Sequence, residues 1–446
     1  MKRSTASALA LVFGLGLALA AGPLWAADPT PAPSAAPVAA APAPEASQII
    51  TPQMSEKVKA AIQKSLADPA TARKTQEVIK PGAEPGYLGI PGAPQTSYIL
   101  GFIWAVWVGW IFSTVGAFGG VMAGVGHITI FGLGDYAKGF GKDNPVNKMV
   151  TDSIRVSNQW LVGLSALISS INYYKMGRLV LPLAVCLAIG SMAGSYLAPA
   201  LTAGKVNLSS YIGWFGACVL LLGCILLYET TPKGQASKKA AKEAASEFER
   251  QCKIGDTSAL GVKITKGSYG GMIISLCVVL AGGLWGNLFE DGAGGSHTVA
   301  IVLSLAGVIL GLVLTAKNRV HFTFCGVEFS FPGYAPIIGG LLIAALAAFL
   351  GVGGGFLFVP FLTSVAGLPM FIVAGTSALA VLVGMIVSIF SYMFGKGVVV
   401  QWGFIGVELI GIFVGSMIGP RTSKYIPDKW LKIIFVVLAF YVGLRY

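Results

Sequence analysis

From Ser97 onward the chain is a succession of long apolar runs separated by short polar or glycine-rich breaks. The runs cover residues 98–133, 155–173, 179–201, 211–228, 269–289, 297–316, 334–368, 371–394, 398–417 and 430–446. A helix needs about 20 apolar residues to cross a bilayer, and the first and seventh runs are much longer than that. Glycines interrupt both, so each reads as one broken helix or as two short spans. The pattern predicts an all-α fold, a polytopic transmembrane helical bundle of about eight to eleven spans.

The first part of the chain follows another pattern. Lys2 and Arg3 precede an apolar stretch over 8–21 and small residues at Ala26 and Ala27. That order is a secretory leader, and 1–26 reads as a signal peptide or an uncleaved anchor, since Leu24 sits where a small residue is expected. Residues 27–96 read as an Ala/Pro-rich periplasmic linker. Within it, Thr51-Pro52 has the form of a helix start. Met54, Val58, Ile62 and Leu66 then recur every four residues as one narrow apolar face, before Pro69 interrupts it. The 52–67 helix has two readings, an arm that docks a periplasmic partner or the chain's own mouth, and a tether without a task.

Composition narrows the class. Charged residues are 11% of the chain, hydrophobic residues 55%, and 59 are Gly. A soluble domain carries about 25% charged residues, so these values disfavour a soluble enzyme, a disordered scaffold and a nucleic-acid binder. The net charge of +12 has a simpler origin than nucleic acid. Lys and Arg are kept in cytoplasmic loops, whereas Asp and Glu are excluded from the bilayer. Residues 229–266 form the largest basic block and are expected in the cytoplasm. Lys175 with Arg178, Lys317 with Arg319, and Lys396 are expected to mark further cytoplasmic turns, and Glu290 with Asp291 an outer one. Tracing back from the basic block, the first long run crosses an even number of times, as a hairpin or re-entrant element.

The chain also repeats itself. Gly124-Val125-Gly126-His127 corresponds to Gly351-Val352-Gly353-Gly354. Tyr174-Lys175-Met176-Gly177-Arg178 corresponds to Tyr392-Met393-Phe394-Gly395-Lys396, and Gly190-Ser191-Met192-Ala193-Gly194 to Gly415-Ser416-Met417-Ile418-Gly419. The pairs keep their order, so two homologous halves are predicted, a first repeat over 97–228 and a second over 334–446. The basic loop and two extra spans with a connecting loop, 267–333, lie between them. Internal duplication with glycine-broken helices is the pattern of secondary transporters.

The run Gly351-Val352-Gly353-Gly354-Gly355-Phe356-Leu357-Phe358-Val359-Pro360 is followed by Ala374-Gly375-Thr376-Ser377 and by Tyr392-Met393-Phe394-Gly395-Lys396-Gly397. Together they resemble the sulfite exporter TauE/SafE family of membrane permeases, over roughly 116–446. The first half departs from that pattern, with His127-Ile128 in place of two glycines. The resemblance implies transport, by export, of sulfur-containing anions: sulfite, sulfate or organosulfonates such as sulfoacetate. The rival readings are a non-transporting subunit that anchors a periplasmic partner, and a passive anion channel.

The candidate substrate-binding residues are Gly124, Gly126, His127, Gly353, Gly354, Gly355, Thr376 and Ser377. Glycine breaks free backbone N–H groups that can converge on an oxyanion, and hydroxyls can add to them. Close helix packing selects the same residue types. Packing is the favoured reading for Gly190, Gly194, Gly415 and Gly419. His127 is either a cation near the anion or a neutral ring bonded to a carbonyl freed by the break. Glu408, mid-span, is a proton-coupling candidate, or pairs with a buried base, or faces a water-filled crevice. Asp152 and Arg155, one helical turn apart, read as an ion pair at the surface rather than as a substrate clamp. No His/Cys cluster, CxxC, HExxH, phosphate loop or GxSxG is present, so no metal, cofactor or catalytic site is predicted.

Overall fold

A computed structural model of the chain describes residues 49–115, 119–231, 261–266, 270–288, 295–316, 319–365, 367–423 and 428–445, with a few single positions besides. The leader, the Ala/Pro stretch, most of the basic loop and the Glu290–Asp291 turn lie outside the described residues.

Two short helices open the described chain. α1 (Glu56–Ala67) starts on a Ser55 cap, and α2 (Pro69–Val78) on an Asp68 cap with Pro at its first position. The four-residue apolar stripe is real and buried: Met54, Val58 and Ile62 are at most 3% exposed. They pack against the rest of the chain, so the arm is seated on its own protein rather than tethered away from it. Tyr87 and Leu88, in a short turn over Tyr87–Gly89, secure it. The Tyr87 hydroxyl is 2.9 Å from Ser153 Oγ, and Leu88 N donates to Gln401 Oε1 at 2.7 Å.

The first long run is a helix and a half. α3 (Tyr98–Val115) is followed by α4 (Gly119–Val125), which widens into a π-turn at Gly126–Ile130 and leads to α5 (Leu133–Gly139). α6 (Pro145–Lys175) starts on an Asn144 cap with Pro at its first position. It therefore begins about ten residues before the apolar run that announced it, because polar Asn147, Thr151, Asp152 and Ser153 are buried in protein, not left in a loop. α7 (Leu181–Thr202) and α8 (Leu208–Thr230) follow.

After β1 (Val262–Lys266) come α9 (Gly270–Leu288) and α10 (Gly295–Thr315), then β2 (Arg319–Phe324) and β3 (Val327–Pro332). The three strands form one antiparallel sheet in the order β1-β2-β3, an element the apolar pattern did not announce. Its alternation is that of a half-buried sheet: within β2 and β3, Val320, Phe322, Phe324, Phe329 and Phe331 are buried and the strand residues between them are not. The seventh run again breaks, into α11 (Tyr334–Leu350), a turn at the glycines, and α12 (Gly355–Pro360) with a π-turn at Phe361–Val365. α13 (Met370–Phe390), α14 (Trp402–Ser423) and α15 (Asp428–Arg445) complete the chain.

Among the described residues, four helices are long and apolar enough to cross a membrane, at Leu181–Thr202, Thr298–Thr315, Phe371–Gly395 and Trp402–Thr422, and several shorter apolar helices accompany them. Glycines set how closely they meet. α3 lies along α14, where a Cβ on Gly411 would come 2.6 Å from Phe102 O and one on Gly415 would strike Val106 O. α7 lies along α11 in the same way, with Gly190 on Ile337 O and Gly194 on Leu341 O. These glycines serve helix packing, as read from the sequence.

The arm marks one face of the molecule and the sheet marks the other. The starts of α3, α6 and α14 and the ends of α7 and α13 lie on the arm face. The sheet is tied to the opposite end of α6 by Val262 N donating to Gly177 O at 2.7 Å. Lys396 belongs to the arm face: a Cβ on Gly397 would lie 2.7 Å from Lys57 Cε. It is therefore not on the side of Lys175 and Arg178, with which its charge had grouped it.

Candidate functional site

The two glycine breaks meet at the centre. A Cβ on Gly120 would fall on the carbonyl of Val352, and Val162 of α6 fills the space beside both Gly120 and Gly353. Gly351 takes a left-handed φ of +64° to end α11, and its backbone presses on the Cα of Arg155. Gly354 makes room for Phe358 and Ile343. α12 is only six residues long, so its dipole is short.

On the other break, the absent side chain of Gly126 admits the Trp104 indole, whose Nε1 donates to Met122 O at 3.2 Å. Gly124 faces Asn158 Nδ2. His127, in the π-turn, is 1% exposed and joined to three elements. Nδ1 lies 2.6 Å from Asn158 Oδ1 and 3.2 Å from Ala123 O, and Nε2 lies 3.1 Å from Glu408 Oε2. Both oxygens near Nδ1 are acceptors, so Nδ1 donates. One proton then lies between Nε2 and Oε2, and the pair is neutral in sum whichever partner holds it. Glu408 is fully buried, and its Oε1 has no hydrogen-bond partner. The ring thus bonds a carbonyl of its own break, one of the two readings the sequence offered for it, and also a carboxylate, Glu408, that neither reading of His127 had named.

Thr376 and Ser377 stand elsewhere. They lie at the start of α13, on the sheet side, where Gly375 abuts Tyr173 and Arg178 O. Thr376 Oγ1 donates to Ile372 O at 2.8 Å and accepts from Val180 N at 3.1 Å, and Ser377 Oγ donates to Ala374 O at 3.2 Å. Through Val180, Thr376 ties the start of α13 to the turn before α7. The structure therefore gathers Gly124, Gly126, His127 and Glu408 around Asn158, sets Gly353–Gly355 beside them, and leaves Thr376 and Ser377 apart.

Asp152 and Arg155 are not at the surface. They are 3% and 0% exposed, because the helix starts well before them. Arg155 Nη1 donates to Asp152 Oδ1 at 2.8 Å, and Gly204 N donates to Asp152 Oδ2 at 2.6 Å. Asp152 also lines a cavity of about 660 Å³ on the arm face, together with Lys57 and Lys64 of α1, Lys148 and Lys396. That basic vestibule is built partly by the arm. No apolar periodicity could reveal it, since its four lysines come from three distant segments of the chain.

Among the described residues no group of three metal-ligating side chains occurs. No curated protein and no solved structure matches the chain. Residues 262–446, which take in the sheet, α9, α10 and the second glycine break, match the family model described as Sulfite exporter TauE/SafE. With the apolar helices, this match supports a multi-pass membrane protein of the transport class whose C-terminal part is similar to the sulfite exporter TauE/SafE family.

Proposed function

We propose that the chain is a secondary transporter of a small sulfur-containing anion, sulfite, sulfate or an organosulfonate such as sulfoacetate, acting as an exporter in a bacterial inner membrane. The observation that carries this reading is the family match over 262–446. The glycine-broken helices, extended to the first run, give it a mechanism. Taken in order, α3 runs opposite to α11, α6 to α13 and α7 to α14, and the order of the sequence pairs is preserved. This supports two inverted repeats, 97–228 and 334–446, with alternating access at their interface.

In this reading the N–H groups freed at Gly124, Gly126, Gly353, Gly354 and Gly355 contribute to anion binding. The His127–Glu408 pair holds one exchangeable proton beside them and is the coupling element. Thr376 and Ser377 are bonded to backbone in this state, and Thr376 ties the start of α13 to the turn before α7. The burial of Met54, Val58 and Ile62 on the chain itself favours an arm that shapes the entrance over one that anchors a separate partner.

Counterflow in proteoliposomes of the purified chain tests the function. Labelled sulfite is supplied outside, and unlabelled sulfite, sulfate or sulfoacetate is loaded inside. Transient accumulation that depends on the internal anion is expected, and the best internal load names the substrate. Folded protein that shows no accumulation with any of the three would leave a channel or an anchoring subunit.

A further inference from the structure

Arg155 has more around it than an ion pair requires. Besides Asp152, its Nη2 donates to Thr202 Oγ1 at 3.1 Å and to Ala348 O at 3.4 Å. Its guanidinium carbon lies 4.9 Å from the ring centre of Tyr392 and 5.5 Å from that of Phe349. Its Nε makes no hydrogen bond. Within the next turn of α6, Asn158 Nδ2 and Gln159 Oε1 are also buried and unpartnered. One turn of α6 thus carries a fixed cation and an amide donor with unused capacity, between the Gly351 turn and Gly124.

Asp152 connects this turn to the outside. It is the one buried group among the charged residues of the vestibule, whose others are Lys57, Lys64, Lys148, Lys396, Asp68 and Asp143. Asp152 is neutralised by Arg155, so four lysines face two remaining carboxylates and the cavity concentrates anions.

We propose that Arg155 is the anion ligand of the transport path, and that a sulfonate- or sulfate-type oxyanion replaces the Asp152 carboxylate on its guanidinium. This rests on the transporter reading above. A guanidinium fork fits two oxygens of a sulfonate as it fits a carboxylate. Asp152 can let go without being stripped, because Gly204 N–H stays on Oδ2. The Tyr392 and Phe349 rings hold the cation in place while its partner changes. Exchange of one anion for another keeps the buried guanidinium paired throughout, and the displaced Asp152 carboxylate stays on the wall of the lysine-lined vestibule.

The competing account is a structural clasp joining α6, α7 and the tip of α11. The two accounts part at Asp152. Under exchange, Asp152→Asn weakens the internal competitor and tightens substrate binding, whereas Arg155→Lys loosens it. Under a clasp, both changes loosen the site alike.

The experiment uses Ala203→Cys, which places a thiol in the vestibule wall next to Gly204, in the full chain. Labelling by an impermeant maleimide is followed against sulfoacetate or sulfate concentration, with the parent chain as background. The half-protecting concentration is expected to rise tenfold or more with Arg155→Lys and to fall at least threefold with Asp152→Asn. If Arg155→Lys does not fold, the Asp152→Asn arm decides by its sign. Weaker or unchanged protection in Asp152→Asn, with parental counterflow intact, overturns this proposal alone. Absence of both protection and counterflow in the parent overturns it together with the transporter reading.

Discussion

The contact between His127 and Glu408 yields a quantitative expectation. Both side chains are buried, and the ring is fixed from behind by Asn158 and Ala123. Glu408→Gln keeps the shape but exchanges a charge-assisted bond for a neutral one. His127→Gln removes the ring and the proton it shares. Hydrogen bonds to charged groups contribute about 1.5–3 kcal/mol, so each single change should cost about that much. The double variant has no charge left to compensate, so its loss should fall short of the sum by about 1–2 kcal/mol. Independent sites add to within about 0.5 kcal/mol, which makes the shortfall measurable. Denaturant unfolding of the four proteins in one detergent gives the cycle. Losses that simply add would refute the pairing, and with it the shared proton.

Gly120→Val should force the two breaks apart, at about 1–3 kcal/mol, and abolish counterflow. Gly213→Val, where a side chain would meet nothing within 4 Å, is the control that should transport normally. Gly415→Leu should separate α3 from α14 and appear as loss of folded protein on size exclusion. Tyr87→Phe should cost about 1 kcal/mol of arm docking and speed proteolysis of residues 49–97. Burial pushes the Tyr87 phenol from its ordinary 10.0 up to about 12. A raised value means the docked arm keeps its proton, so protection should be flat below pH about 10 and lost as pH rises toward 12. Protection that decays already between pH 7 and 9 would rule out Tyr87 as the group responsible.

Much of the fold was legible because its signals were local. The breaks at 119–130 and 351–355 could be read from glycine-interrupted apolar runs too long to be one straight helix, and the arm helix from its four-residue stripe. Glu408 was visible as a charge at a depth where charges are costly, but its partner was not, since His127 lies 281 positions away. Asp152 and Arg155 were placed at the surface because the apolar run begins there. The Asn144-Pro145 pair, a cap followed by proline, was the available sign that the helix starts earlier. Thr376 and Ser377 looked like free hydroxyls, yet each donates back to a carbonyl three or four residues earlier, as hydroxyls in helices do. The sheet escaped because its strands are short and flanked by charge.

The glycine-lined contacts of α3 with α14 and of α7 with α11 have a consequence for biogenesis. Each joins a helix from early in the chain to one from late in it, so the two portions are threaded through each other. α3 leaves the ribosome roughly 300 residues ahead of the helix that fills its groove. Until then its small-residue surface faces lipid with no mate, and any chaperone or insertase must hold it there. A chain cut between 231 and 261 should yield two fragments that are degraded singly and recovered together, as one complex, when coexpressed.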